Sequence, residues 1–244
     1  ELVMNEKTYE LYSVNDGGIY RSSTNGATWE DLSDGISIAQ FYGISSSNTE
    51  NGMIIGGTQD NGTHILMDGQ WQHILGGDGM QCKIDPSDSK YIYASTQYGE
   101  IYRSSDRANN FSRIASYSFY SGEIPDWVTP YSLNPKKPST IYVGYRNVFK
   151  STNRGVNWQK ISSFSHNSAL KTLTVAENDT NTIYASTGST LYVTNNGGGS
   201  WGVHYQAKNM ITDVVVDDND PSRIWITTSG YTNNSKVFEL YNGE

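Results

Sequence analysis

The stretch S-T-N-R-G-V-N-W, residues 151–158, recurs in this 244-residue chain with the same order of residue types. The copies cover residues 22–29, 104–111, 151–158 and 194–201. In each copy an acid, amide or hydroxyl at the third position can accept hydrogen bonds from N–H groups of a turn, and in three of the four copies a glycine at the fifth position tolerates positive φ. The closing aromatic residue can begin the next strand and pack between sheets. Each copy therefore predicts a turn between two strands, built on Thr24 with Trp29, Asp106 with Phe111, Asn153 with Trp158, and Asn196 with Trp201.

A pair of an aliphatic and an aromatic residue recurs with the same period of about 40 to 50 residues. A repeat of this length that holds four short strands is typical of a β-propeller blade, whereas solenoid repeats are usually shorter or helical. The pair marks the second strand of each blade and lies at Leu11-Tyr12, Ile92-Tyr93, Ile141-Tyr142, Ile183-Tyr184 and Ile224-Trp225, with Ile54-Ile55 as a weaker copy that lacks the aromatic residue. First strands are predicted over residues 38–45, 80–85, 128–133, 170–175 and 211–216.

These repeats predict one all-β domain, a β-propeller of four-stranded blades over residues 1–244, or a fragment of one. About six blades are touched, near residues 1–34, 35–76, 77–117, 118–164, 165–206 and 207–244. The first blade is expected to start at or near its second strand, and the sixth to stop at its own turn. We therefore expect a segment of a longer propeller in a multidomain chain, or a last blade completed by N-terminal residues. Five aromatic residues are expected to be buried at equivalent fourth-strand starts: Trp29, Trp71, Phe111, Trp158 and Trp201.

The recurrent stretch resembles the Asp-box, S-x-D-x-G-x-T-W, also called the BNR repeat, of sialidases, xyloglucan-cleaving propellers, sortilin-type receptor domains and photosystem assembly propellers. The match is partial, because only one of the four copies has Asp at the third position. Residues 56–62, G-G-T-Q-D-N-G, and residues 76–79, G-G-D-G, resemble large secreted bacterial propellers, many from Bacteroidetes, labelled glycosyl hydrolase or sortilin-like. This second resemblance covers about residues 9 to 115. It implies a propeller fold and a secreted or cell-surface location.

Composition narrows the classes of partner. The formal charge of −8 and the pI of about 5.0 argue against nucleic acid, because affinity for phosphates comes mainly from clustered Lys and Arg. No apolar run approaches the ~18 residues of a membrane span, so no membrane insertion is predicted. A single cysteine, Cys82, excludes an internal disulfide. The expected partner is a protein or a glycan.

One face of the propeller collects the candidate site. Because blade strands are antiparallel, turns between second and third strands and connections between blades lie on the same face. The candidate ligand-binding residues on these loops are Gln59, Asp60, Asn61, Asp78, Gln97, Tyr98, Trp127, Tyr145 and Arg146. We expect Asp60 and Asp78 to lie near the boundary of blades 2 and 3, close to Gln97 and Tyr98.

Two functions remain open for this face. The first is a protein- or glycan-binding or scaffold module. The alternative is a xyloglucanase-like glycoside hydrolase, in which Asp60 and Asp78 form the carboxylate pair and Tyr42, Tyr98 and Trp127 stack on sugars. A sialidase is excluded by the lack of its arginine triad, since Arg21 and Arg103 precede turns in third strands.

No cofactor and no metal site are predicted. Oxygens of Asp60, Asn61 and Asp78 would suit Ca²⁺, but a D-x-D-x-D spacing is absent. The four histidines fall at unrelated positions of the repeat and do not predict a zinc site.

Overall fold

The computed structural model describes residues 1–35, 39–231 and 236–243, which form short antiparallel strands and two 3₁₀ turns, Gln97–Gly99 and Tyr117–Phe119. Blades 1 to 3 contain β1 Leu2–Met4, β2 Leu11–Asn15, β3 Gly18–Ser22, β4 Glu30–Asp31, β5 Phe41–Ser46, β6 Ile54–Thr58, β7 Gly62–Met67, β8 Gln70–Leu75, β9 Cys82–Ile84, β10 Ile92–Thr96, β11 Glu100–Ser104 and β12 Ser112–Ala115. Blades 4 to 6 contain β13 Tyr131–Leu133, β14 Ile141–Gly144, β15 Val148–Ser151, β16 Gln159–Lys160, β17 Thr172–Val175, β18 Ile183–Thr187, β19 Thr190–Thr194, β20 Gly202–Gln206, β21 Ile211–Val216, β22 Arg223–Thr228 and β23 Val237–Tyr241.

The strand order confirms the all-β propeller architecture. Within the described ranges, five sheets have four strands and the sixth has three, each in simple sequential order. Each aliphatic–aromatic pair lies on the second strand of its blade. The predicted first strand over 38–45 is observed from Phe41, and residue 38 lies outside the described residues.

The start of blade 1 differs from the expectation. Leu2–Met4 pairs with Leu11–Ser13, so blade 1 has a first strand of its own. The N-terminal residues therefore complete blade 1, and among the described residues they form no pair with the sheet of blade 6. The pairing was missed because a three-residue strand is too short to show an alternation pattern.

The four recurrent turns (residues 22–29, 104–111, 151–158 and 194–201) share one hydrogen-bond scheme. The third-position side chain accepts from the N–H four residues later, as when Asn153 Oδ1 accepts from Asn157 at 2.9 Å. The opening hydroxyl also accepts from the fifth residue, as when Ser151 Oγ accepts from Gly155 at 2.8 Å. The same two bonds occur in the other three turns, for Thr24 and Ser22, Asp106 and Ser104, and Asn196 and Thr194. These bonds satisfy turn N–H groups that would otherwise lack partners.

The hydrophobic core lies between the blades. Four buried clusters join blades 2 and 3, 3 and 4, 4 and 5, and 5 and 6 in the described part of the chain. In blade 4, for example, Ile141 packs toward blade 3 and Tyr142 packs toward blade 5. Alternate strand residues point to opposite faces, so a central blade needs apolar residues on both. None of the four clusters contains a residue of blade 1.

The expected burial of the five aromatic residues is wrong for two of them and only partial for the other three. Trp158 and Trp201 are partly buried, and each indole N–H donates to the preceding blade, at Ile114 O (2.8 Å) and Ile161 O (2.7 Å). Phe111 also packs against the cluster that joins blades 2 and 3. Trp29 is 43% exposed and Trp71 is 53% exposed. Burial of these rings depends on packing against the preceding blade, and among the described residues no buried cluster joins blade 1 to blade 2.

No helix in the described ranges is long and apolar enough to cross a membrane.

Candidate functional site

The loop face is the face of the propeller that carries the turns between second and third strands and the connections between blades. Three of these segments are linked by two hydrogen bonds. The Asp60 N–H in the β6–β7 turn donates to Asp78 Oδ1 at 2.7 Å. The Asp78 N–H, in the connection to blade 3, donates to Gln97 Oε1 at 3.2 Å. The structure thus places Asp60, Asp78 and Gln97 side by side at the boundary of blades 2 and 3.

The glycines of the two acidic motifs make this arrangement sterically feasible. A Cβ on Gly57 would lie 2.1 Å from Met80 O, and a Cβ on Gly79 would lie 2.3 Å from Gly62 O. The blade connection therefore crosses directly over the backbone of the β6–β7 hairpin. Only glycine permits so close an approach of two chain segments. The G-G-x-Q-D-N-G and G-G-D-G motifs thus have a packing role, whatever the role of their aspartates.

Asp16 of blade 1 is a residue that the sequence reasoning did not include in the site. Gln59 Nε2 donates to Asp16 Oδ2 at 3.3 Å. Burial, followed by the nearby carboxylates of Asp16 and Asp78, raises the pKa of the Asp60 carboxyl above its usual range. Asp16 lies in the β2–β3 turn, which the sequence assigned to this face. The distance of that turn from blade 2 depends on the packing of blade 1 against blade 2, and the repeat pattern does not predict this packing.

An aromatic cluster, the rim, is formed by Tyr42, Tyr98 and Trp127. The rings of Tyr98 and Trp127 meet edge to face at 5.0 Å and 87°, and Trp127 Nε1 donates to Tyr42 Oη at 3.2 Å. Tyr98 is 49% exposed and Trp127 is 38% exposed. Tyr98 has φ of 61°, a left-handed conformation that is rare for a bulky residue, and its N–H donates to Trp127 O at 3.1 Å. The backbone is therefore strained where this ring is presented.

The connection that carries Trp127 is held by a buried acid. The Glu123 carboxylate accepts from the Asn147 backbone N–H at 2.8 Å and from Asn147 Nδ2 at 3.0 Å. Lys160 Nζ also lies 3.0 Å from Glu123 Oε1. Asp126 forms an ion pair with Lys171 of blade 5. These contacts fix the position of the Trp127 ring before any ligand binds.

Two predicted site residues lie apart from this group. Tyr145 is fully buried, packs against Phe149 and Tyr120, and donates its hydroxyl to Gly99 O at 2.9 Å, so its assignment to a ligand-binding surface is wrong. The residue lies just beyond β14, where its ring turns into the core between blades 3 and 4. Arg146 donates from Nε to His166 O at 2.8 Å, on the blade 5 side. Asn61 remains in the β6–β7 turn, where its Nδ2 donates to Gln59 O at 3.3 Å.

No group of three or more His, Cys, Asp or Glu side chains among residues 1–35, 39–231 and 236–243 is arranged to hold a metal ion. Binding of Ca²⁺ by Asp60, Asn61 and Asp78 stays an untested alternative to the prediction that no metal is bound.

Comparison with known proteins supports the fold. No family model matches the sequence, and no curated protein does. Among solved structures, the chain is similar to a GH74 enzyme from Niastella koreensis, with a TM-score of 0.62 and 19% identity over 83% of this chain and 36% of that one. The GH74 xyloglucanase from Xanthomonas campestris gives a TM-score of 0.62 and 13% identity over 98% and 44% of the two chains.

A third similar structure is the extracellular domain of a putative one-component system from B. thetaiotaomicron. It has a TM-score of 0.60 and 18% identity, and the match covers 93% of this chain and 31% of that one. This chain thus spans less than half the length of each of these proteins. At such identities the comparisons show the propeller fold and do not transfer an activity.

Proposed function

We propose that this protein is an extracellular β-propeller module that binds a glycan on its loop face, at the rim. The observation that carries the proposal is the rim itself. The ring of Tyr42 on strand β5 meets the rings of Tyr98 and Trp127, which lie on two separate connections, and Tyr98 is presented by a strained backbone. Strain of this kind is concentrated at functional sites, and exposed aromatic clusters mark binding surfaces.

The chemistry of the rim suits a sugar. A pyranose ring offers C–H groups that pack on an aromatic face and hydroxyl groups that require hydrogen-bond partners. Tyr98 and Trp127 provide the faces, and Asp60, Asp78 and Gln97 provide polar groups beside them. Because the Trp127 connection is already held by Glu123, little ordering entropy is lost when a ligand binds.

The extracellular location has independent support. The recurrent turns resemble the Asp-box, the two acidic motifs resemble those of secreted sortilin-like propellers from Bacteroidetes, and one similar structure is itself a bacterial extracellular domain. GH74 xyloglucanases share the fold, and the aromatic rim is what favours a glycan as the ligand class.

A glycan array followed by calorimetry tests the proposal. We expect the wild type to bind at least one glycan, and Trp127→Ala to weaken that binding roughly 10-fold or more, since loss of an aromatic anchor costs on the order of 2 kcal/mol. Trp71→Ala is the matched control, because Trp71 is also an exposed tryptophan, at 53% against 38% for Trp127, but lies outside the rim. Binding that Trp127→Ala leaves intact would show that the rim is not the site. Capture of a protein ligand without any glycan would favour the scaffold alternative.

A glycoside hydrolase is the second candidate. The observation that favours it is the approach of the Asp60 and Asp78 segments, and the pKa of the Asp60 carboxyl is raised above its usual range, the direction that a general acid requires. Glycosidases hold their two carboxyl groups about 5 to 9.5 Å apart, across the scissile bond. Here Asp78 instead accepts a hydrogen bond from the backbone of Asp60. Release of reducing sugar by the wild type, lost in Asp60→Asn and Asp78→Asn, would establish catalysis. Glycan binding without turnover, with both variants folded, would establish the binding module.

A further inference from the structure

A cavity of about 660 Å³ opens between the innermost strands of blades 3 to 6. Residues on or next to β9, β13, β17 and β21 line it: Gln81, Lys83, Ser132, Thr172, Thr174 and Thr212. Trp127 belongs both to this lining and to the rim, so the cavity is continuous with the proposed glycan surface. Its volume is in the range of ordinary small-molecule sites, about 300 to 1,000 Å³.

The four charged side chains of the cavity differ in their partners. Lys171 and Asp126 form an ion pair with each other. Asp213 accepts a hydrogen bond from the Val214 N–H at 2.8 Å. Asp213 lies on blade 6 and Lys83 on blade 3, and these two blades are the most distant in sequence of the four that line the cavity. Lys83 has no carboxylate within ion-pair distance in the described part of the chain. Its Nζ lies 5.9 Å from the centre of the Tyr131 ring.

The surroundings of Lys83 leave its charge incompletely compensated. The side chain is half-buried, and burial lowers the pKa of the ammonium below its usual range. A partly desolvated cation without a counter-ion is unfavourable, and an anionic group that enters the cavity would relieve that cost. The total charge of −8 disfavours polyanions, but a single carboxylate is repelled only weakly because salt screens distant charges.

We propose that this cavity binds an acidic sugar, a uronate, whose carboxylate lies on Lys83 and whose ring packs on Trp127. The inference rests on the proposed glycan binding at the rim and specifies the class of sugar. Thr172, Thr174 and Thr212 also line the cavity. Their hydroxyls already bond Ser186 Oγ, Val214 O and Thr227 Oγ1, so Thr172 and Thr174 can offer a sugar hydroxyl only an acceptor oxygen. An inorganic anion would use Lys83 but would gain nothing from Trp127.

The test compares digalacturonate with its carboxyl-reduced, neutral counterpart by calorimetry on the whole protein. We expect the wild type to prefer digalacturonate by roughly 10-fold, the scale of one charge-assisted hydrogen bond. Lys83→Gln should bind both disaccharides equally. Lys150→Gln is the matched control, because Lys150 Nζ lies over Tyr142 at 5.6 Å but outside this cavity, and it should keep the wild-type preference. The indole N–H resonance of Trp127 should shift on titration, and near-ultraviolet circular dichroism checks that each variant is folded.

The outcomes separate the two proposals. Equal binding of both disaccharides by the wild type, or a preference that survives in Lys83→Gln, would overturn the acidic-sugar inference and leave rim binding intact. Binding of neutral glycans on the array without binding of digalacturonate would do the same. Failure of the wild type to bind any glycan would overturn both. If chloride or acetate binds with the same affinity as digalacturonate, Lys83 binds anions without specificity for a sugar. That result would also overturn the inference.

Discussion

The aromatic residues that close the recurrent turns show how the same local sequence leads to different burial. Trp158 and Trp29 occupy corresponding places before a fourth strand. Trp158 packs against the cluster of blades 3 and 4 and donates to Ile114 O, whereas Trp29 is 43% exposed. The hydrogen bonds within the turns are nearly the same in both cases. The difference in stability between these positions therefore comes from the neighbouring blade and not from the turn.

Trp158→Ala is expected to lower the free energy of unfolding by about 3 kcal/mol, the lower end of the range for large aromatic residues, because the ring is partly exposed. It also leaves Ile114 O without its indole donor. Trp29→Ala should lower it by less than about 1 kcal/mol, as expected for a surface change. Urea denaturation of both variants measures the difference. Equal losses would mean that Trp29 is covered in solution.

Much of the blade structure could be predicted from the sequence because it is local. The aliphatic–aromatic pairs correctly predicted the second strand of each blade. The recurrent turns correctly predicted the connections between the third and fourth strands. Apart from the approach of Asp60 and Asp78 to Gln97, contacts between blades could not be predicted in this way. Three such contacts join segments from different repeats, and nothing within one repeat predicts them. They are the approach of Asp16 to Asp60, the packing of Tyr145 in the core and the hydrogen bond of Glu123 with Asn147.

The connection from blade 2 to blade 3 is where glycine is required by packing. Gly57→Ala would place a methyl group 2.1 Å from Met80 O, a backbone atom that cannot move aside cheaply. We expect a loss of at least about 1 to 3 kcal/mol, the usual cost of overpacking. Gly76→Ala is the matched control, since its Cβ would meet no atom within 4 Å. Thermal unfolding of both variants provides the comparison, and an unaffected Gly57→Ala would contradict the observed crossing of these two segments.

The six blades are not equally integrated into the molecule. Blades 2 to 6 are joined in series by four buried clusters, none of which includes blade 1. Blade 1 meets blade 2 through polar contacts such as Gln59 with Asp16, while Ile44 of β5 is 66% exposed and Trp71 is 53% exposed. Apolar burial is the dominant stabilising term in folding, so a polar interface between blades is weak.

We therefore expect blade 1 to open locally before the rest of the propeller unfolds, since local opening follows low apolar contact. Amide hydrogens of β2, Leu11–Asn15, should exchange with deuterium at least 10-fold faster than those of β14, Ile141–Gly144, although both are second strands with the same pairing on two sides. Hydrogen exchange with mass spectrometry on the whole protein measures both strands in one experiment.

Equal protection of β2 and β14 would mean that blade 1 is covered in solution by an apolar contact. In that case, Ile44→Ser should selectively remove the protection of β2 if blade 2 supplies the contact. If β2 stays protected in Ile44→Ser, the contact must come from another surface, and blade 1 is then stabilised independently of blade 2.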